Sequence, residues 1–485
     1  MNRIILLSFL IFLSISINSY SQKIINANIN QVIADAQSDS PSSLLARATE
    51  NNAYWIYVAS KSVLKPQLSL SATLPSLNRS ISALTLPDGT RTFVTTSFMS
   101  NSIGINLSQA VAATGGTVFV SSGLQRLDDF GTSNQAATYL SSPVSIGFDQ
   151  PLFRLNPFKW DRREAEINYE ASRKQFVEDR ERIAFDAVNS FFDLYISKIN
   201  LEESIRNSDY LDSIAVNAEG RFSVGKISET ELLQIQLGAK NAKGTVARNR
   251  LSVQNKIESL RDFLGIKEEV DFNLITPEPI TLYEIDKNTA LEYAWKNRSI
   301  TVDFRLRLLN AERQMETARR NNGPNLRLTG SFGLTQSAES LDDAYRGLLD
   351  QEQVSLTVDI PIADFGRRKA QREIAKTNLE RTQLQLEQDK VSFEREVLVN
   401  VEQFNLKRNQ LRLAEEALEI AQKRVDIAKK RFSIGKIDVT NLNIAIQEEI
   451  GAQQSYYSTL WDLWRAHYTI RNLTLYDFEK GLPLD

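Results

Sequence analysis

The chain has 485 residues, 42% hydrophobic and 24% charged, with a formal net charge of −3. That length supplies a large core or two repeated units, and the near-neutral balance gives no global basic field pointing to nucleic acid. With no cysteine and one histidine, thiol nucleophiles, disulfides and Cys/His zinc sites are excluded, and any Ser-His triad must use His467.

The first residues read as a secretory signal. Arg3 gives a positive start, Ile4 to Ile17 is an apolar run broken only by serines, and Ser19-Tyr20-Ser21 is a small-x-small cleavage site. The mature chain is therefore expected to begin at Gln22. No cysteine follows to carry a lipid, and no later run of 18 apolar residues suggests a transmembrane helix. A chain that leaves the cytoplasm in this form is either soluble or embedded as a β-barrel, the other structure that spans lipid.

Asn28 to Leu64 is helical in pattern and stops before a proline. The period then changes: Leu68, Leu70 and Ala72 alternate with polar residues, as do Val144, Ile146 and Phe148. Between them Ile103 to Leu107 and Val118 to Val120, joined across Thr114-Gly115-Gly116-Thr117, read as a hairpin. It supplies either extra barrel strands or a periplasmic flap. A long helix is expected from Pro157 to Gly220, a turn follows, and a second helix leads out of it.

The pattern then returns. Arg221-Phe222-Ser223-Val224-Gly225-Lys226-Ile227 through Leu232 recurs as Arg431-Phe432-Ser433-Ile434-Gly435-Lys436-Ile437 through Leu442, with eight of twelve positions identical at an offset of 210. Val144 to Pro151 matches Val354 to Pro361 at the same offset. Further upstream Lys65-Pro66-Gln67-Leu68 resembles Gly323-Pro324-Asn325-Leu326 at an offset of 258, so the first copy carries about 48 extra residues. The second copy has its own helix, Asn288 to Asn322, its own alternating runs (Leu326 to Gly330 and Val354 to Ile360), and a long helix from Arg367 to Lys430. The expected division is a signal over 1–21, a first repeat over 22–275 with an insertion at 79–139, a second repeat over 276–474, and a tail over 475–485.

Each long helix, at about 1.5 Å per residue, extends roughly 96 Å, too long for an ordinary globular domain. Leu411, Ala414, Leu418, Ala421, Val425, Ala428 and Phe432 follow a 3-4 spacing, a coiled-coil seam. A second stripe, Leu413, Ala417, Ile420 and Ile427, is interrupted by Arg424. Two stripes mean two neighbours, which a closed ring of helices provides. Four spanning strands, or six with the insertion, cannot close a barrel, and an open edge in lipid leaves backbone groups unpaired. Strands and helices are therefore expected to be pooled between subunits, three copies of four strands making a 12-stranded barrel, or more with the insertion.

The twice-repeated Arg-Phe-Ser-x-Gly-Lys, the run Asn28 to Ala36 and the run Ala290 to Ala294 resemble the TolC family of outer-membrane efflux proteins over nearly the whole mature chain. The resemblance implies a mainly α fold with transmembrane β: a homotrimer with an α-helical barrel of antiparallel coiled coils, a pooled β-barrel in outer-membrane lipid, and an equatorial belt that takes in the C-terminal stretch around Leu473, Tyr476 and Phe478. It implies a passive outer-membrane channel of a tripartite efflux pump or type I secretion system, working with a periplasmic adaptor and an inner-membrane transporter, without catalysis, cofactor, metal or nucleic acid.

On that resemblance Arg221, Phe222, Gly225, Lys226, Arg431, Phe432, Gly435 and Lys436 form a periplasmic tip that docks the adaptor. The alternative is that the phenylalanines and glycines only shape the turns. Glu231 occupies an acidic gate position; Asp438 and Asn441 are the second-copy candidates, Asp438 reading more naturally as a helix N-cap. His467, in the aromatic run Trp461 to Tyr468, reads as a packing or interfacial residue. Tyr139, Trp160 and Tyr345 are expected near membrane interfaces, and Leu77 to Phe98 and Gln336 to Gln351 as polar external loops. The competing assignments are a periplasmic coiled-coil adaptor, a structural coiled-coil protein, and a secreted enzyme, the last lacking any phosphate loop or nucleophile elbow.

Overall fold

A computed structural model describes residues 23–130, 137–280 and 283–484. The expected signal over 1–21 lies outside them. Among the described residues the chain divides into two compact units, each drawing on both halves: 23–49, 174–298 and 393–484 form one, 50–173 and 299–392 the other.

In chain order, β1 (Lys23–Ala27) leads into α1 (Ile29–Asp39) and α2 (Pro41–Ser62). Asn28 caps α1 by accepting the Gln31 N–H at 2.8 Å. The single helix expected from Asn28 to Leu64 is broken: Ser40 is extended (ψ 151°) because the ring of Pro41 disfavours a helical residue before it. Ser40 instead accepts the Ser43 N–H at 3.1 Å to start the next helix. The second copy breaks at the equivalent place without a proline, giving α5 (Lys287–Asn297) and α6 (Ser299–Asn321) where one helix over Asn288 to Asn322 was expected. There Arg298 is extended and its guanidinium donates to the Asn472 carbonyl at 2.9 Å. A tertiary contact makes the corner, so sequence pattern gave no sign of it.

The strands β2 (Gln67–Thr85), β3 (Arg91–Val111), β4 (Gly116–Asp129), β5 (Ala137–Leu152), β7 (Asn325–Ala338) and β8 (Leu349–Asp359) form one antiparallel sheet in the order β2-β3-β4-β5-β7-β8. The hairpin expected across Thr114–Thr117 is the β3–β4 connection. The region Leu77 to Phe98, expected as a loop, is mostly strand: β2 continues to Thr85 and β3 begins at Arg91. Rungs such as Ser80 with Thr96, their hydroxyls 2.9 Å apart, carry the pairing without apolar alternation. The Gln336 to Gln351 loop likewise shortens, its first three residues completing β7 and its last three opening β8.

Cross-strand register sorts the two faces. Leu70 lies opposite Ile105, Leu107 opposite Val120, Val120 opposite Ile146, Ile146 opposite Phe332, and Leu328 opposite Leu356, one apolar belt across all six strands. The other face carries Asn106 opposite Ser121, Ser121 opposite Ser145, and Thr329 opposite Ser355. On the inner strands it is the apolar side that is open: Ile105 is 49% exposed and Ile146 57%, while Asn106, Ser121 and Ser145 are half-buried. A soluble sheet buries its apolar face; this arrangement is the reverse. Around the helical part of this unit, Arg313 of α6 bridges Asp161 and Glu164, each at 2.7 Å, and Tyr57 stacks on Tyr169 with ring centroids 4.8 Å apart.

The helical unit is built from α4 (Glu229–Leu264), α8 (Val439–Thr474) and the long helices α3 (Pro157–Ser223) and α7 (Arg367–Ser433) from residues 174 and 393 onward. Both long helices run three residues past their expected ends because their last turns close on the following glycine. Phe191, Phe192 and Leu194 of α3 are fully buried. Phe192 stacks near Trp461 of α8, whose indole N–H donates to Asn189 at 3.0 Å. β1 pairs in parallel with β6 (Val270–Leu274), and the tail adds β9 (Tyr476–Asp477) and β10 (Leu482–Pro483), with Tyr476 stacked on Tyr293 at 3.9 Å. The α8 and tail elements are tied to α3 by Arg471, which donates bidentately to Glu181 at 2.8 and 3.1 Å and also holds Asp477. All three side chains are nearly or fully buried.

His467 is buried, with its Nδ1 2.8 Å from the Tyr283 hydroxyl. Burial, then the positive charge of Arg471, pushes its pKa from the usual 6.5 down to about 3. It is a packing residue held neutral.

Two outcomes follow for stability. Replacing Arg471 with Met strands Glu181 and Asp477 as buried charges and is expected to cost about 3–5 kcal/mol, read by denaturant or thermal unfolding. Above pH 6.5 His467 is neutral folded or unfolded. As pH falls below 6.5 only the unfolded chain takes up the proton, so stability drops by about 1.4 kcal/mol per pH unit. The loss in melting temperature between pH 7 and pH 5 should therefore be smaller in His467→Gln than in the parent.

Candidate functional site

The two repeated motifs fold into two near-identical turns. Gly225 has φ +71° and Gly435 φ +72°, the left-handed conformation that glycine adopts without strain. Around each, the same two bonds close the preceding helix. Gly225 N–H donates to Phe222 C=O and Lys226 N–H to Arg221 C=O, both at 2.9 Å; Gly435 donates to Phe432 and Lys436 to Arg431, both at 2.9 Å. This is the Schellman closure, in which the residue after the glycine reaches back five positions. The next helix starts four residues after each glycine, capped by Ser228, which accepts the Glu231 N–H at 3.2 Å, and by Asp438, which accepts the Asn441 N–H at 2.8 Å.

The hairpins pack on one another through one apolar cluster. Ile214, Ala218, Ile235 and Ala239 from the first meet Val425, Ala428, Leu442 and Ala445 from the second. Small residues at these positions bring the helix backbones close. Lys429 lies over the Tyr210 ring at 5.2 Å, a cation–π contact between hairpins.

The eight tip residues divide in two. Gly225, Lys226, Gly435, Lys436, Arg431 and Phe222 are exposed, whereas Phe432 packs against the apolar cluster and Arg221 is half-buried. Arg221 reaches across: a Cβ added to Gly435 would lie 3.6 Å from its guanidinium. Phe432 is thus a packing residue and Phe222 a presented one, a distinction the repeated motif conceals. Arg221, Phe432 and Glu231 line a groove of about 390 Å³ with Tyr210, Asn217 and Ile227.

The gate candidates separate too. Glu231 is half-buried and lines that groove, as Arg221 does. Asp438 is the N-cap of α8, and Asn441 turns its side-chain amide back onto the Asp438 carboxylate at 2.9 Å. Asp438 and Asn441 therefore serve the cap, in agreement with the alternative the sequence already favoured for Asp438.

The contribution of Tyr210 was missed. It stands where the second copy has Ile420, so repetition, the signal that located the other residues, works against it. The exposed faces of the long helices are also informative. The seam of Leu411, Val425 and Ala428 is buried within the chain, but the parallel stripe of Leu413 (56%), Ile420 (68%) and Ile427 (58%) is open.

Residues 297–474 match the family model for outer membrane efflux proteins. Sequence comparison with curated proteins gives no match. Among solved structures, the chain is similar to the CmeC outer membrane channel of Campylobacter jejuni, with 17% identity, a TM-score of 0.66, and coverage of 94% of this chain and 86% of that one. A membrane protein from Pseudomonas aeruginosa is similar at 16% identity and TM-score 0.67, covering 96% of this chain and 92% of that one. The outer membrane protein VceC of Vibrio cholerae is similar at 16% identity and TM-score 0.62, covering 94% and 97%. The fold of these channels thus extends over almost the whole chain, and residues 297–474 carry the sequence pattern of outer membrane efflux proteins.

Proposed function

We propose that three copies of the chain assemble into a passive conduit from periplasm to exterior, and that the paired turns dock it onto a periplasmic adaptor serving an inner-membrane transporter, in a tripartite efflux pump or a type I secretion system. The observation that carries the assembly is the sheet. Its apolar belt is exposed, and its outer strands, β2 and β8, each keep one edge unpaired among the described residues. In hydrocarbon every unpaired backbone group costs several kcal/mol, so those edges need another copy. The open stripe of Leu413, Ile420 and Ile427 supports the same reading, because an apolar heptad seam on a secreted helix calls for a second helix.

Docking rests on exposure and charge. Lys226, Arg431 and Lys436 sit on rigid glycine turns, free of the packing that occupies Phe432. Opening is a shift of population: an adaptor that binds an untwisted arrangement of the hairpins more tightly draws the ring toward it. Glu231, in the groove that Arg221 also lines, is the residue we assign to the gate; Asp438 and Asn441 are not needed there. The equatorial role of the tail around Tyr476 and the proposed repeat boundaries belong to the same reading.

In detergent the protein is expected to sediment as a trimer and to fractionate with the outer membrane; a monomer free of lipid and detergent sinks the proposal. Ile146→Arg, on the apolar belt, should cost about 2–4 kcal/mol and deplete assembled trimer, whereas Ser145→Arg one residue away should leave assembly intact. Reversing Lys226 and Lys436 to Glu, or Gly435→Pro, should weaken adaptor binding roughly tenfold, about 1.4 kcal/mol, with the trimer preserved. Normal export by these variants would remove the docking role from the turns.

A further inference from the structure

The segment that the first copy has and the second lacks contributes β3 and β4, and three observations say what it is for. First, it is not an appendage on the sheet but lies within it. β2 pairs with β3 from Gln67–Ser108 to Thr85–Arg91, and β4 pairs with β5 from Thr117–Asp149 to Asp128–Ala137, so β2 and β5 are separated by two full strands. Second, those strands obey the rule of their neighbours: Ile105 and Val120 fall on the apolar belt, Asn106 and Ser121 on the polar face. A flap in water has no need to present a row of apolar side chains in register with a membrane belt.

Third, the turn joining β3 to β4 is seated by residues outside it. Asn156 donates from its side-chain amide to the Ala112 carbonyl at 2.8 Å, and Gln150 to the Thr114 carbonyl at 3.1 Å. Gly115 has φ +80° and passes so close to Asn156 that an added Cβ would lie 3.1 Å from it. A Cβ on Gly116 would lie 2.8 Å from the Asp149 carbonyl oxygen. The two glycines let the turn nest against the end of β5 and the start of α3.

We infer that the inserted hairpin forms two additional staves of the outer-membrane barrel, six from each chain, so that the trimer closes on eighteen strands rather than twelve. This rests on the three-copy assembly proposed above. Barrel diameter grows roughly linearly with strand number, so the opening is about one and a half times as wide as twelve strands at the same tilt would give. Its polar face carries Ser, Thr and Asn, with Asp149 and Arg327 paired to one another and Asp359 on the same face at the end of β8. Such a mouth suits bulky hydrated cargo, a large solute or a polypeptide.

The chain has no cysteine, so single thiols can be placed without background. Spin labels would be attached at Ile105→Cys, Val120→Cys, Asn106→Cys and Ser121→Cys in the full-length protein in lipid nanodiscs, and the same particles imaged by electron cryomicroscopy. Labels at 105 and 120 should collide with oxygen several-fold more often than with a water-soluble nickel reagent, labels at 106 and 121 the reverse, and the map should show eighteen strands. Water-accessible labels at 105 and 120 on a trimer with twelve strands would overturn the inference and leave the channel assignment intact. A particle that is not trimeric would overturn the eighteen-strand count together with the assembly; labels at 105 and 120 that still report lipid would then retain the hairpin as part of the membrane sheet.

Discussion

The constraint behind this structure is the fate of backbone N–H and C=O groups in a sheet that is one layer thick. In water an open edge is tolerated and an apolar face is covered by a second layer. Here the strands are 11 to 21 residues long, the apolar face is uncovered and each outer strand has one edge unpaired among the described residues. Hydrocarbon on one face and another copy at each edge, the assembly we propose, satisfy both conditions. The helical unit poses the same demand in another form, with one heptad stripe buried and the parallel one open. A chain with two unfinished surfaces is specified for assembly by its own alternation of residue types.

Duplication solves part of the folding problem and hides another part. The Arg-Phe-Ser-x-Gly-Lys motif, present twice, dictates the same Schellman turn twice, with the same two bonds at the same distance. Yet Phe222 is presented and Phe432 packed. The reason lies in the partners: Tyr210 faces Lys429 across the hairpins, and no aromatic stands at the matching position in the second copy. Two equal backbones pressed together cannot both keep their apolar side chains outside, and sequence differences away from the motif decide which one goes in.

What was legible in the sequence was whatever repeats with a short period or follows a local rule. Helix and strand types, the glycine turns, the N-cap role of Asp438, the packing role of His467 and the buried seam through Val425 all follow from patterns within a dozen residues. The broken helices show the limit. Ser40–Pro41 is a local rule that the long apolar pattern overrode in the reading, whereas the break at Arg298 depends on Asn472, far along the chain. The full length of β2 and β3 was hidden because Ser and Thr rungs hold strands together without marking one side as apolar. The placement of the inserted hairpin needed register, which a single strand does not reveal.

The near-identity of the two turns has a geometrical meaning for whatever meets them. In the threefold ring proposed above each chain offers two turns, so a ligand that feels only main-chain shape encounters six equivalent notches. One that also feels side chains encounters three of one kind, where Glu231 and Arg221 line one groove, alternating with three of another, where Asn441 folds back onto its own cap. The same rim can therefore be read with sixfold or threefold symmetry, according to how deeply the reader probes.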